Sequence, residues 1–298
     1  MSSYTLWGAL EIGLIFSLVA LGVFITFRVL SFPDLTVDGS FPLGGATAAI
    51  MISSGHDPFI STLVATAAGA GAGFLTGFIN VSLRIMDLLA GILVMIALYS
   101  INLRVMGGPN VPLITEPTVF TLLPDWMPDY VERPLALLLL VAFIKWAIDR
   151  FFASELGLAL RATGANARMA RAQGVNTGRA VLLGMAISNG LVGLAGALFA
   201  QSQGGADISM GIGTIVIGLA AVIMGEGVLP ARSMFWTTFA VLLGAVVYRV
   251  VIAIALNSDF VGLQAQDLNM VTAILVGAAL VIPRVMGKRK ILRRTGAG

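Results

Sequence analysis

Residues 150–179 read RFFASELGLALRATGANARMARAQGVNTGR. The stretch is polar, holds five arginines (Arg150, Arg161, Arg168, Arg171 and Arg179), and lies between two apolar blocks, residues 134–148 and 180–200. A basic loop of this length between apolar spans belongs on the cytoplasmic side of a membrane. Within it the pattern predicts a short helix over residues 165–173. Asn166 suits the N-cap, the Ala-rich run propagates the turns, and Gly174 stands where a left-handed C-terminal residue is wanted. Arg168 and Arg171, three apart, share one face, and Ala165, Met169 and Ala172 make a smooth second one. Two readings stay open: a helix that docks into a groove on another protein, or a solvated loop that obeys the charge rule.

Composition sets the class. The chain is 58% hydrophobic and only 11% charged, with a mean hydropathy of +0.96, against about 25% charged residues in soluble domains. That is a polytopic all-α membrane protein, with room in 298 residues for about eight to ten spans. The chain contains no cysteine, which excludes disulfides, thiolate metal sites and a cysteine nucleophile. The single histidine, His56, sits in a Ser-Ser-Gly-His-Asp-Pro turn and reads as a loop residue. Net charge is +3, and the basic cluster at 284–294 reads as anchorage at anionic lipid, with no nucleic-acid partner.

In chain order, residues 6–27 form a first span. Its charge, Arg28, follows the apolar core, so it reads as an uncleaved helix with the N-terminus outside. Residues 31–43, SFPDLTVDGSFPL, are expected to break the helix at Pro33, Gly39 and Pro42. A short Gly/Ala-rich segment follows at 43–54. Spans are expected at 59–83, with Gly69, Gly71, Gly73 and Gly77 allowing close helix approach, and at 88–105. The outer loop 107–133 is rich in Pro and acids, with Trp126 and Tyr130 as interfacial anchors. Further spans are expected at 134–148, 180–200, 211–224, 234–256 and 268–282, with a broken Gly-rich segment at 202–210. If the short segments 43–54 and 211–224 both cross, the chain makes about nine crossings, N-terminus out and C-terminus in. Were both re-entrant, an inside tail would force 150–179 outside, against the positive-inside rule. The spanning arrangement is therefore the expectation.

The chain also echoes itself. Span one and FPDLTVDGSFPLGGATAAIM are matched by span six and GADISMGIGTIVIGLAAVIM. Each copy is a long helix, a Gly-rich break with Asp and Ser or Thr, then a short helix, and the copies have opposite orientation. The expected organisation is one permease domain, 1–298. It comprises repeat one at about 6–106, an extra span at about 134–148, the loop 150–179, repeat two at about 180–284 and a basic tail 285–298. Inverted repeats with broken helices place a transport path at the repeat interface. On that reading Asp34, Thr36, Asp38, Ser40, Asp207 and Ser209 line or gate the path. The alternative is that Asp38 and Ser40 cap the short helix while Asp34 and Asp207 sit in wet interfacial positions. No phosphate-binding P-loop, zinc-protease motif or catalytic triad is present, and no cofactor is implied.

The run from Arg161 to Arg179 resembles the cytoplasmic coupling loop of ABC-transporter permeases of the branched-chain amino acid and ribose importer superfamily. It keeps Arg161, Ala162, Asn166, Ala170, Gly174, Val175 and Asn176 at the family spacing. It departs by placing Gly164-Ala165 where an acidic residue often precedes Asn. Gly225-Glu226-Gly227 is similar to the inner turn of these permeases. The resemblance implies the membrane subunit of an ATP-driven importer working by alternating access in a bacterial inner membrane. It also implies a second permease copy as a homodimer, a cytoplasmic ATPase dimer and an extracytoplasmic binding protein. Arg161, Asn166, Arg168, Met169, Ala170, Arg171, Gly174 and Asn176 would then contact or shape the ATPase contact, mechanically and without covalent chemistry. FPDLTVDGSFPLG and SINLRVMGGPN resemble the tryptophan and tyrosine uptake branch, implying a small polar solute, an amino acid, with aromatic ones among the candidates. The competing class is a secondary transporter or channel, which would use Glu11, Asp34, Asp38 or Glu226 for ion coupling.

The cysteine-free background makes the topology directly measurable. Single cysteines at positions 168 and 290 should resist a membrane-impermeant thiol reagent in intact cells, while cysteines at 125 and 259 should react. Labelling of position 168 from outside sinks the cytoplasmic assignment of the loop.

Overall fold

Backbone groups inside a bilayer have no water to bind, so apolar runs of this length close their hydrogen bonds as helices. In the computed structural model, which describes residues 3–122, 128–229, 233–256 and 277, helices dominate. Helix α1 (Ser3–Val23) continues through a π-helical turn, Phe24–Val29, and is followed by α2 (Val37–Ser53), α3 (Pro58–Leu83) and α4 (Asp87–Met106). Strand β1 (Asn110–Pro112) precedes α5 (Asp129–Ala153), α6 (Glu155–Ala165), α7 (Ala167–Ala172) and α8 (Thr177–Gln203). Strand β2 (Gly205–Asp207) and a 3₁₀ turn, Ile208–Gly211, lead into α9 (Thr214–Val228) and α10 (Met234–Leu256).

Six helices among the described residues are long and apolar enough to cross a membrane: α1 with its π turn, α3, α4, α8, α9 with the preceding 3₁₀ turn, and α10. Two more of the expected spans correspond to α2, which has 17 residues, and α5, which carries Lys145, Asp149 and Arg150 near its end. The ninth, 268–282, lies outside the described residues except for residue 277, as do the turn 257–267 and the tail.

The end of the bundle that carries α6 and α7 is termed here the loop end, and the opposite one the far end. Helix α8 runs from the loop end between α2 and α3, and α1 packs against α10, α9, α8 and α5. The main core joins Ile15, Leu18, Leu21 and Phe24 of α1 to Val192 of α8, Val241 of α10 and Phe152 of α5, all essentially without exposed surface. At the far end β1 pairs antiparallel with β2, Val111 opposite Ala206. Gln201 Oε1 accepts the Val119 backbone N–H at 2.9 Å, fastening the 107–122 segment to the end of α8.

Small residues set the helix spacing. A Cβ at Gly73 of α3 would collide with the Met185 carbonyl of α8, and one at Gly69 with the Asn189 carbonyl, so the two helices touch backbone to backbone.

Three expectations need correction. Helix α2 begins at Val37, so Gly39 and Pro42 lie inside it. Pro42 removes the donor that the Asp38 carbonyl would have met, and Gly211 packs against that carbonyl instead. The predicted polar loop is largely helical. Ser154 Oγ accepts the Gly157 N–H at 3.3 Å and starts α6, whose Leu160 is fully buried. The docking helix is also shorter than expected, Ala167–Ala172. Asn166 is its N-cap, with Oδ1 accepting from Arg168 N at 3.1 Å and Met169 N at 3.0 Å.

Glycine packing is testable against an internal control. Gly73→Val should lower the thermal unfolding midpoint of the detergent-solubilised protein, since overpacking costs about 1–3 kcal/mol. Gly71→Val should change it by less than about 0.5 kcal/mol, because a Cβ at Gly71 meets nothing within 4 Å. Equal stability of the two variants overturns the α3–α8 contact.

Candidate functional site

The segment between α1 and α2 carries the first cluster. Ser31 takes a left-handed φ of 57° to turn the chain, and Pro33 keeps residues 30–36 out of a continuous helix. Asp34, buried at 1% exposure, is fully used. Its Oδ1 accepts the Thr36 N–H at 2.9 Å, and its Oδ2 accepts from Asn189 Nδ2 of α8 at 2.7 Å. Ser40 donates to Asn189 Oδ1 at 2.7 Å, and the Thr36 and Thr76 hydroxyls lie 2.7 Å apart. Asn102 of α4, also buried, donates to the Gly39 carbonyl at 3.1 Å. Asp34, Thr36 and Ser40 thus form one seam that ties the first break to α3 and α8 through neutral partners.

Asp38 acts differently. It lies in the first turn of α2, and its carboxylate receives the N–H of Ile215 at 2.8 Å and of Gly213 at 3.4 Å. It therefore caps α9, not its own helix, whose N-cap Thr36 makes no side-chain cap bond. The alternative that Asp38 and Ser40 cap the short helix α2 is not what is found: Asp38 bonds the start of α9 and Ser40 bonds Asn189 of α8. Both Gly-rich breaks meet at this carboxylate.

Asp207 and Ser209 lie elsewhere. Asp207 ends β2 at the far end and accepts from the Ser209 N–H at 2.7 Å and from the Ser209 hydroxyl. The two residues bind each other and are separate from the Asp34 seam.

The loop end carries the second cluster. Arg28, at the end of the π turn, forms a two-pronged ion pair with Glu226 of α9, Nε to Oε1 at 2.7 Å and Nη2 to Oε2 at 3.0 Å. Both side chains, with Arg161 and Ala165 of α6, line a cleft of about 530 Å³. Gly164 has no room for a side chain, because the Val29 carbonyl lies against its Cα. The departure from an acidic residue near this position therefore coincides with close packing of α6 on the π turn. Asn176 caps α8 through the Arg179 N–H at 3.0 Å, and Gly174 takes the left-handed φ of 84° expected of it. Arg161, Arg168 and Arg171 are exposed. Arg171 also lines a cleft of about 660 Å³ with Asn80, Arg84 and Asp87.

The two residues expected nearest a partner groove separate here. Met169 is 64% exposed, whereas Ala170 is 4% exposed. Ala170 is turned into the permease, and its carbonyl closes the α7 terminus, accepting from Val175 N at 3.0 Å.

Several residues were missed by sequence reading. Asn189 and Asn102 sit in apolar spans, where a buried amide is itself a signal. Lys145 of α5 is 2.5 Å from Asp149, which accepts from Thr238 of α10 at 2.6 Å. Its ammonium also lies 3.6 Å from the Phe235 ring centre. Arg249 of α10 faces Phe16. No group of three or more metal-ligating side chains occurs among the described residues. What the arrangement offers chemically is hydrogen-bond exchange and ion pairing between helices.

Comparison with known proteins agrees with this geometry. Residues 6–283 match the family model described as branched-chain amino acid transport system / permease component. The chain is 36% identical over 295 residues to the tyrosine transport system permease protein of Clostridioides difficile (strain R20291), covering 94% of this chain and 96% of that one. It is 29% identical over 202 residues to the galactofuranose transporter permease protein YtfT of Escherichia coli (strain K12), covering 65% of this chain and 56% of that one. The ribose import permease protein RbsC of the same strain is 26% identical over 196 residues, covering 64% of this chain and 60% of that one. No solved structure matches the chain. With nearly its whole length covered by the model and an all-helical, multi-span architecture, the chain belongs to the branched-chain amino acid permease family of ABC transporters, as a membrane-embedded transport subunit.

Proposed function

We propose that this permease is the membrane subunit of an ATP-driven importer for amino acids, aromatic ones included. The observation that carries the cargo is the 36% identity to a tyrosine permease over nearly the full length of both chains. The sugar permeases align over about two thirds of this chain. The proposed assembly lies in a bacterial inner membrane with the loop end cytoplasmic, the N-terminus outside and the C-terminus inside. It contains a second permease copy, an ATPase dimer at the loop end and a binding protein at the far end. ATP-driven movement of the ATPases shifts α7. The shift passes through α6 to the Arg28–Glu226 pair and along α9 to the Asp38 junction, where the path opens to one side or the other. Asp34, Thr36, Asp38 and Ser40 line that junction, and Asp207 and Ser209 stand toward the outer mouth. What supports the coupling role is the exposed Met169 on a capped short helix, flanked by the exposed Arg168 and Arg171.

The function is tested in proteoliposomes containing the permease, its ATPase and its binding protein. ATP-dependent uptake of radiolabelled L-tyrosine is expected; uptake of ribose in its place overturns the amino-acid reading.

The coupling helix is tested at Met169, because Ala170→Trp would disturb the permease's own packing. A charge placed in a packed apolar contact costs at least about 1–3 kcal/mol. Met169→Glu should therefore weaken co-purification of the ATPase about tenfold or more. Arg168→Ala should weaken it by less than about 1 kcal/mol, as exposed charges do. Full retention of the ATPase by Met169→Glu rules out α7 as the docking element.

At the junction, Asp38→Asn keeps an oxygen acceptor for Ile215 N and should leave the folded yield near wild type. Asp38→Ala leaves two donors unpaired and should cost about 1–2 kcal/mol in stability. If the carboxylate also faces the path, Asp38→Asn loses uptake while keeping its fold. Normal uptake in Asp38→Asn reduces Asp38 to a cap.

A further inference from the structure

Among the described residues the charges set inside this bundle have partners, with one exception. Lys145 has Asp149, Asp34 has Asn189 and the Thr36 amide, and Asp38 has the first amides of α9. Arg249 has none of these. It is the only charged residue in α10, MFWTTFAVLLGAVVYRVVIAIAL. Its Nε is enclosed and without a hydrogen-bond partner. Among the described residues the ion pairs are Arg28–Glu226 and Lys145–Asp149, neither of which involves it. Among the described residues its guanidinium meets the Phe16 ring, 4.2 Å from the guanidinium carbon to the ring centre.

The side chain points into the protein. A Cβ at Gly13 of α1 would lie 3.2 Å from Val246 Cα and 3.5 Å from Arg249 Cβ, so the stem leaves α10 on its α1-facing side. Phe16 is 3% exposed. It meets Phe41 of α2 at 5.6 Å and Phe199 of α8 at 5.8 Å between ring centres. The guanidinium therefore stands beside an aromatic trio contributed by three helices.

A cation inside a membrane domain persists when it faces a partner or a cargo pathway. Contact with a ring face answers its charge in part and leaves the planar fork of N–H donors unfilled. That fork matches a carboxylate in a two-pronged arrangement. No second cation accompanies it among the described contacts, so a singly charged anion gives local neutrality and a phosphate dianion does not.

We propose that Arg249, beside Phe16 in the α1–α10 seam, is an intramembrane subsite for the carboxylate of an amino-acid cargo, with the Phe16–Phe41–Phe199 rings beside the cargo side chain. This rests on the amino-acid reading above. The trio is closed in this structure, so the subsite receives cargo when the helices part during transport.

Direct binding separates the subsite from the transport reading. The purified permease in nanodiscs of phosphatidylcholine is titrated with L-tyrosine, 3-(4-hydroxyphenyl)propionate and tyramine, which has the ring and amine but no carboxylate. Both carboxylates should bind wild type and tyramine should not. Loss of a charge-assisted contact in Arg249→Gln should weaken carboxylate binding at least about tenfold. Arg249→Lys keeps the charge without the fork; it should bind more weakly than wild type at an unchanged melting temperature, and it decides the matter if Arg249→Gln does not fold. Tyramine binding as tightly as the carboxylates overturns the subsite, as does absent carboxylate binding by wild type or unchanged affinity in the variants. Uptake is scored separately. Tyrosine uptake that survives Arg249→Gln leaves the importer reading standing and removes this one. Carboxylate binding by a permease that imports only sugars does the reverse.

Discussion

One carboxylate stands where two helices begin. Asp38 lies in the first turn of α2 and accepts the first free amides of α9, so two helix N-termini share a single negative charge. Each terminus presents unpaired donors and a partial positive charge, and an anion there contributes about 0.3–1 kcal/mol, more when half-buried. In a bilayer the unmade bonds would cost several kcal/mol. The two broken segments are tolerated because they answer each other: Asp38 fills the donors of α9, and Gly211, just before α9, covers the carbonyl that Pro42 leaves free in α2. From this point α2 runs to the far end and α9 to the loop end.

The contacts along α9 differ in strength, and that difference decides where movement is absorbed. At one end are two amide bonds to a half-buried carboxylate. At the other is the Arg28–Glu226 pair, with side chains 61% and 32% exposed. An exposed pair contributes about 0–1 kcal/mol, so it can open and re-form at small expense while the Asp38 junction holds. On the proposed mechanism the α9 helix moves as a rod pivoting at its capped start, with its free end at the cleft shared by Arg161.

Much of this was legible from residues 150–179. Asn166, Gly174 and Asn176 have local jobs, capping or turning a helix, and local chemistry is what a short stretch of sequence encodes. The span at 234–256 was likewise readable, because continuous apolarity needs no partner to be seen. The start of α2 was not: Pro42 argues for a break, and only the distant Gly211 makes it acceptable inside a helix. Ala170 and Met169 are neighbours in one short helix, and their opposite exposure depends on how α7 sits against α8. Asp38 announced a cap, but a cap partner 177 positions away in contact has no trace in local sequence. Arg249 is an ionisable residue in an apolar span, but the Phe16 ring it meets belongs to α1 near the other end of the chain and leaves no local trace.

The distribution of partners also bears on which buried groups can work during a cycle. Lys145 and Asp149, with Thr238 and the Phe235 ring, form a closed set between α5 and α10. The ion pair itself lies within α5, and it is the bond from Thr238 to Asp149 and the Phe235 ring against Lys145 that tie this charged pair to α10. Asp34, by contrast, is met by an amide and a backbone N–H, and Ser40 by the same Asn189 amide. A hydrogen bond between neutral groups contributes about 0.5–1.5 kcal/mol net and one to a carboxylate about 1.5–3 kcal/mol, and a polar cargo can replace them one for one. On the proposed path, a seam of exchangeable hydrogen bonds can open to a solute and close behind it, whereas a line of ion pairs would either stay shut or trap what it admits.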